Sequence, residues 1–436
     1  MRLGFLAMSG LRVQNKKLAE LGLTLPGFIE RKEVIASLPS LGLLTLAALT
    51  PNDISQEYIE IDNFDSNSKL PGEFDVVAIS SFTAQIYSAY ALADKYRKNG
   101  SKVILGGLHV TALPGEAKRH ADAIVIGEGE VVWKEIISDL KENKLKEVYD
   151  ARDMDFNFID SPIPKYKLLD INNYNRLTVQ THRGCPFKCE FCASSIQLTK
   201  KYKIKPLERV VNEIKYIKSI WNRPFIELAD DNTFANKKSA KKLAKALSAL
   251  NIRWFTETDI SVAEDDELLS ILSDSGCRQL LIGLESPTPE GLHNLEVKSN
   301  WKEKQINNYQ EAIYKIQSKG ISVNGCFVLG LDGHDISIFD KTLNFVNDSE
   351  LSEVQITIQT PFPGTSLYER LKLENRLLED AFWDKCTLFD VTYHPKNMTV
   401  PELENGFIDL MQKIYSADLV HKRKEKFIKQ SRKIKK

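Results

Sequence analysis

Three of the six cysteines in this 436-residue chain fall within eight positions, at Cys185, Cys189 and Cys192 in the string THRGCPFKCEFCASS. Thiolates are the ligands that suit iron–sulfur clusters, and each iron corner of a cubane takes one sulfur. Three ligands on one loop leave one iron open to bind a substrate, whereas four cysteines would give a closed electron carrier. Structural zinc would need a fourth Cys or His at ordinary spacing, and His182 lies before the loop. Three thiols beside Gly184 and Pro186 are not a packing pattern either. The remaining cysteines, Cys277, Cys326 and Cys386, are scattered and read as buried packing residues.

Stepping outward from the loop, a strand must deliver it. RLTVQT (176–181) is a strand candidate directly before the cysteines, followed by candidates at 224–229, 252–256, 278–284, 321–329 and 353–359. Helical stretches separate them; in 207–221, Val210, Ile214, Ile217 and Trp221 fall on one face. Six strand–helix units predict a parallel barrel or an open part of one, with its site at the strand C-termini. Polar residues gather at those ends: Asp230, Asp231 and Asn232 after the second strand, Glu257, Thr258 and Asp259 at the third, Glu285 and Ser286 at the fourth. Each could instead cap a following helix.

The first 135 residues show another alternation, FDVVAISS (74–81), SAYALADKYRKNG (88–100), SKVILGGLHV (101–110) and ADAIVIGEGE (121–130), which predicts a parallel sheet with helices on both faces. Glycines follow the strand ends, where such a sheet opens its ligand crevice. The expected architecture is α/β: a Rossmann-like domain over 1–150, a linker over 151–172, a partial (β/α)6 barrel over 173–375, and a helical C-terminal region over 376–436. The last of these ends in HKRKEKFIKQSRKIKK, read as a solvated, frayed tail.

Composition excludes several classes. Fifty-nine basic residues balance 59 acidic ones, so no global field recruits nucleic acid or membrane. No run approaches the ~20 apolar residues of a membrane span, and the N-terminus lacks the pattern of a secretory signal. Clustered, unpaired cysteines point to a reducing compartment, so the expected location is the cytoplasm.

Cys185-x-x-x-Cys189-x-x-Cys192, with Phe191 before the last ligand, resembles the signature of the radical S-adenosylmethionine (radical SAM) superfamily, and sits where that family places it. The likeness runs from roughly 173 to 375 and includes GLESP, FVLGLDG (327–333) and TPFPGTSLYERL (360–371). It implies a 4Fe-4S cluster on the three cysteines, S-adenosylmethionine chelating the open iron, and one-electron cleavage to a deoxyadenosyl radical. An external electron donor, flavodoxin or ferredoxin, would supply that electron. Phe191 would wall the adenine pocket, and Asp230, Asp231 and Asn232 would stand where the family binds the methionine amino group, although ELADDNTF departs from the family's Gly-Gly-Glu. Glu257 and Thr258 would complete the pocket, and Glu285 and Ser286 would meet the ribose.

In the N-terminal unit, MRLGFLAMSG lacks the G-x-G-x-x-G of a dinucleotide fold. ASLPSLGLLTLAAL (36–49), SSFTAQ (80–85), GGLHVTALPGE (106–116) and ADAIVIGEGE (121–130) resemble, in order and spacing, the cobalamin-binding domain that precedes many radical SAM barrels. By that likeness Ser80, Ser81 and Thr83 face the nucleotide tail, while Gly106, Gly107, Gly127 and Glu128 let backbone approach the tail or corrin. The family's Asp-x-His-x-x-Gly is missing: IEIDNFDSNS (59–68) offers Phe64 and no histidine. That departure recurs in radical methylases, where a weakly ligated cobalt favours handing on its methyl group. His109 is the other nearby imidazole and reads as a loop residue. The resemblance implies methylation of an unactivated carbon of a small-molecule or lipid-like metabolite. Cyclisation, ring contraction or rearrangement with the same cofactors stands second, and a non-catalytic regulator third.

Overall fold

The computed structural model describes residues 1–9, 13–21, 38–65, 67–193, 202–296 and 300–432. Of the segments quoted above, Gly10, Ala36, Ser37, Ser66, residues 194–201 and the tail residues 433–436 lie outside the described residues.

The N-terminal sheet contains β1 (Arg2–Met8), β2 (Ser55–Ile61), β3 (Val76–Ser80), β4 (Lys102–Gly106), β5 (Ala123–Ile126) and β6 (Val148–Asp150), all parallel, in the order β2-β1-β3-β4-β5-β6. Side chains alternate between its faces, as strand geometry requires. Leu3, Phe5, Ala7, Val76 and Ala78 pack under α1 (Leu41–Leu49) and α3 (Gly129–Lys141), while Leu6, Met8, Val77 and Ile79 pack under α2 (Ile86–Lys98). The strand order reverses between β1 and β3, and at such a switch point a crevice opens beyond the strand ends.

The second sheet is β14-β13-β12-β11-β10-β7, again all parallel and in sequence order. Its members are β7 (Leu177–Val179), β10 (Phe225–Leu228), β11 (Arg253–Thr258), β12 (Cys277–Glu285), β13 (Ser322–Leu329) and β14 (Glu353–Ile358). The first and last strands do not pair, so the barrel is partial. Helices α4 (Leu207–Ile220), α5 (Lys237–Ser248), α6 (Asp266–Asp274), α7 (Tyr309–Gln317) and α8 (Ile338–Asp348) cover its outside. Ile226, Leu228, Trp254, Leu280, Ile282, Val323 and Ile356 point to those helices and are buried. The alternate positions Glu227, Glu257, Leu281, Gly283, Cys326 and Gln355 keep partial access, so the barrel interior is open to solvent. Cys277 and Cys386 are buried as expected. Cys326 is not: its place on the interior face of β13 leaves it half-buried, which corrects the packing assignment.

Three further features depart from the sequence reading. An antiparallel hairpin brackets the cysteines, β8 (His182–Arg183) before Cys185 and β9 (Lys203–Ile204) after Cys192. The linker segment 151–172 is docked on the second unit: Tyr166 is buried, its hydroxyl 2.7 Å from both the Thr178 carbonyl and Glu213. After α9 (Ser366–Leu373) and α10 (Val400–Ile414), the basic tail forms α11 (Ala417–Arg432) instead of fraying. Buried Arg423 donates to the Ile414 carbonyl at 2.9 Å and Gln430 to the Tyr314 carbonyl at 3.1 Å, and these contacts hold the helix down.

Candidate active site

The cysteine loop is gripped on three sides. Below it, buried Asp230 accepts the backbone N–H groups of Thr181 (2.6 Å) and His182 (2.8 Å) and the hydroxyls of Thr181 and Thr233. Burial alone would raise its pKa, yet the His182 imidazole, 3.3 Å away, and those donors hold the carboxyl below the usual aspartate value. Asp231 accepts Gly184 N–H at 2.9 Å, where φ of +83° places Gly184 in the left-handed region. On the cap side, Glu190 takes a bidentate fork from Arg370 at 3.0 and 2.8 Å, and Arg370 is itself held by Asp332 at 2.7 Å. On the side of the N-terminal domain, Arg183 donates to Glu128 at 2.6 Å and to Glu130 at 2.8 Å.

Burial pushes the Cys185 thiol up to about 11 and the Cys189 thiol up to about 12, and each thiol feels the charge of Cys192. Among the described residues no three His, Cys, Asp or Glu side chains close on a single ion. A cubane accepts that spread, because its cysteine ligands sit on separate irons. The donor chemistry of the loop therefore fits a 4Fe-4S cluster.

The polar residues at the strand ends divide into committed and free. Asn232 donates to Asp259 at 2.7 Å and accepts from Thr258 at 3.1 Å, while Asp259 caps the turn at Ser261 N–H (2.8 Å). Ser286 is enclosed, bonded to His334 at 2.9 Å, and burial holds that imidazole neutral with a pKa down at about 3. Three further carboxylates stand at the barrel interior, Asp231, Glu257 and Glu285. Asp231 is half-buried, and Glu257 makes no ion pair or side-chain hydrogen bond with a described residue. Burial, together with Glu227, Asp231, Asp230 and Glu285, pushes Glu257 up to about 8, so it keeps a proton at neutral pH. Glu285 stands at φ +65° just past a bulge in β12 and pairs with Lys302, whose ammonium also donates to the Gly283 carbonyl at 3.0 Å. A Cβ at Gly283 would fall 2.3 Å from Glu285 Oε1, so the glycine makes room for the pair. Burial would strip the Lys302 proton, but Glu285 and Cys189 outweigh it and raise its pKa. Phe191 packs partly buried between the barrel core and Leu367, Leu371 and Tyr393 of the cap region.

At the N-terminal crevice, Ser80 closes β3, Ser81 follows it, and buried Thr83 begins the next turn. Gly107 at φ +108° and Gly127 at φ +85° follow β4 and β5, and Gly106 ends β4. A Cβ at Gly107 would meet Ser80 Oγ at 3.2 Å; one at Gly127 would meet the Ala151 carbonyl carbon at 3.3 Å. The Glu128 side chain is spent on Arg183, Lys203 and Phe156 N–H, which leaves only its backbone for a ligand. Phe64 is buried in the core beside Met8 and Ile61. His109 is buried as well, 3.3 Å from Glu116, which accepts from the Trp383 indole at 3.1 Å.

Sequence reasoning missed Arg183, Glu190, Arg370 and Lys302. Arg183 and Glu190 lie inside the cysteine string itself, and a charge on a buried loop demands a partner; their partners are 55 and 180 residues away and carry no motif.

A partial parallel barrel with three thiols at its mouth, beside a parallel sheet with glycines after β4 and β5, is the arrangement of a cobalamin-binding radical SAM enzyme. The Radical SAM superfamily model matches residues 179–346, the B12 binding domain model matches 36–137, and a domain of unknown function matches 365–436. Among curated relatives, the chain is 27% identical over 388 residues to bacteriochlorophyllide d C-12(1)-methyltransferase of Chlorobaculum tepidum, covering 85% of this chain and 82% of that protein. It is 24% identical over 375 residues to anaerobic magnesium-protoporphyrin IX monomethyl ester cyclase of Cereibacter sphaeroides, covering 78% of this chain and 60% of that protein. The radical S-adenosylmethionine methyltransferase TsrM of Kitasatospora setae, solved with cobalamin and a 4Fe-4S cluster, shares the fold with TM-score 0.66 at 12% identity, covering 96% of this chain and 89% of that one. The chain thus carries a stretch that matches the Radical SAM superfamily, preceded by one that matches the B12 binding domain. Its cofactors are a 4Fe-4S cluster, S-adenosylmethionine and cobalamin. Among the described residues no helix is long and apolar enough to cross a membrane.

Proposed function

We propose that the enzyme methylates an unactivated carbon of a small-molecule or lipid-like substrate. The observation that carries this reading is coverage: the chain spans 82% of the methyltransferase relative but only 60% of the cyclase. Phe64 and His109, both turned into the core, add support, because neither then offers an imidazole to the crevice. When bound, the cofactors supply a deoxyadenosyl radical and a transferable methyl group.

The protein's own residues hold and orient. Cys185, Cys189 and Cys192 ligate the cluster, and the grips of Asp231 and Arg370 keep their loop from shifting. Asp231, whose carboxylate remains half-open, receives the methionine amino group. Glu285 accepts from the ribose hydroxyls, with Lys302 holding it in place. Glu257, protonated at neutral pH, donates a hydrogen bond into the barrel interior. Ser80, Ser81 and Thr83 line the nucleotide-tail side of the crevice, and Gly106, Gly107 and Gly127 admit the cofactor at backbone distance.

Incubating the holoenzyme with candidate substrates and methyl-labelled S-adenosylmethionine tests this reading. Label in product supports methylation, and label recovered only in methionine contradicts it. Cyclisation is the second reading, favoured by the cyclase relative, and it yields an unlabelled product with a new ring.

A further inference from the structure

The hairpin that leads into the cysteine loop is fastened to the N-terminal domain by one buried group of charges. Arg183 lies two residues before Cys185 in sequence. Its Nη1 donates to Glu128 Oε1 at 2.6 Å, and its Nη2 donates to Glu130 Oε1 and Gln180 Oε1, each at 2.8 Å. The Phe158 ring lies 5.0 Å from the guanidinium carbon. On the paired strand, Lys203 donates to the other Glu128 oxygen at 2.6 Å and pairs with Asp155, while Phe156 N–H donates to Glu128 at 3.1 Å. The Glu128 side chain is 3% exposed, against 14% for Arg183 and 11% for Lys203.

This burial separates the group from surface ion pairs, which hold geometry weakly. A guanidinium fork between two carboxylates fixes direction as well as distance. Its position is also particular. Glu128 follows Gly127 at the C-terminal end of β5 and begins α3, so its backbone belongs to the crevice rim while its side chain belongs to the cluster hairpin. Other contacts between the domains, such as Lys165 with Gln56 at 3.0 Å or Trp383 with Glu116 at 3.1 Å, lie away from the cysteine loop.

We infer that Arg183 is a positioning residue: held by Glu128 and Glu130, it sets the separation and orientation of the cluster loop relative to the cobalamin crevice. Substrate in such an enzyme must meet both cofactors in one pose, and a loosened hairpin would spread that geometry without removing either cofactor. The inference rests on both cofactors being bound, and metal analysis tests that condition separately.

The test uses the full chain reconstituted with iron, sulfide and hydroxocobalamin, poised so that cob(II)alamin and the reduced cluster are both paramagnetic. Pulsed EPR then reads the dipolar coupling between the two centres. The wild-type protein is expected to give one narrow distribution. R183Q and E128Q are expected to broaden it at least twofold with unchanged iron and cobalt content, R183K to recover part of the narrowness, and E130Q to broaden it least, because Glu128 and Gln180 still hold the guanidinium. Should R183Q fail to fold, E128Q, which keeps shape and volume, decides. A wild-type distribution in E128Q and R183Q, with both metals bound, overturns the inference. Wild-type protein that takes up iron but no cobalt overturns the cofactor assignment on which it rests.

Discussion

The barrel mouth and the N-terminal crevice solve the same task, holding a large cofactor at the C-terminal ends of parallel strands, by opposite means. The mouth is built from charged and polar side chains held by specific partners: Asp230 under the hairpin, Arg370 on Glu190, Lys302 on Glu285. The crevice is built from backbone, with Gly107 and Gly127 in left-handed conformations and small hydroxyls at Ser80 and Ser81. A loop that must fix three thiols needs rigidity from outside itself, whereas a surface that admits a broad ring needs the absence of side chains. Charge changes should therefore damage the mouth, and bulk should damage the crevice.

Lys302→Met attacks that contrast hardest. It leaves Glu285 buried without its partner, and breaking such a pair costs about 3–5 kcal/mol. Denaturant unfolding of the variant should show that loss, and pairing it with Glu285→Gln should restore most of the stability. Next comes Gly107→Val in the crevice, where φ is +108° and Ser80 Oγ stands 3.2 Å from an added Cβ. Cobalamin affinity is expected to fall about a hundredfold, roughly 2.7 kcal/mol, with iron content unchanged. Equal loss of both cofactors would mean that the two regions are not independent.

A third expected effect is on pH dependence. Glu257 is raised to about 8 by burial and its carboxylate neighbours, against an ordinary glutamate value of 4.5. The unfolded chain gives up this proton before the folded one does, so between pH 4.5 and 8 the group progressively destabilises the fold; below that window it contributes nothing, and above it the penalty is constant. Glu257→Gln should accordingly stabilise the protein progressively more as pH rises from 4.5 to 8, by up to about 4 kcal/mol, and leave it unchanged at pH 4. Equal stabilisation at both pH values would sink the assignment of a raised pKa to Glu257.

The same contrast explains what could be read from sequence. Barrel strands such as 353–359 and 321–329 were legible because one of their faces is continuously apolar, and the structure places them at Glu353–Ile358 and Ser322–Leu329. The glycines of the crevice were legible because backbone conformation restricts residue type. The β8–β9 hairpin was not: each strand has two residues, too few for any period, and its partners, His182 with Ile204 and Arg183 with Lys203, flank the whole cysteine loop. The ion pairs of the mouth escaped for a related reason, since Arg183, Glu190 and Lys302 are ordinary surface residues in composition and acquire meaning only when the fold buries them against distant partners. Cys326 was misplaced because a strand in a full barrel core would bury it, whereas this interior stays open.

Everything at the mouth depends on three thiols leaving one iron corner free for S-adenosylmethionine. Alanine placed singly at Cys185, Cys189 and Cys192, followed by anaerobic reconstitution, tests this most directly through iron and sulfide content and deoxyadenosine formation. The expected result is loss of deoxyadenosine to below about a hundredth of wild type in each variant, a barrier rise of at least ~2.7 kcal/mol, with reduced iron. Full iron loading with undiminished deoxyadenosine in any one of the three would contradict it.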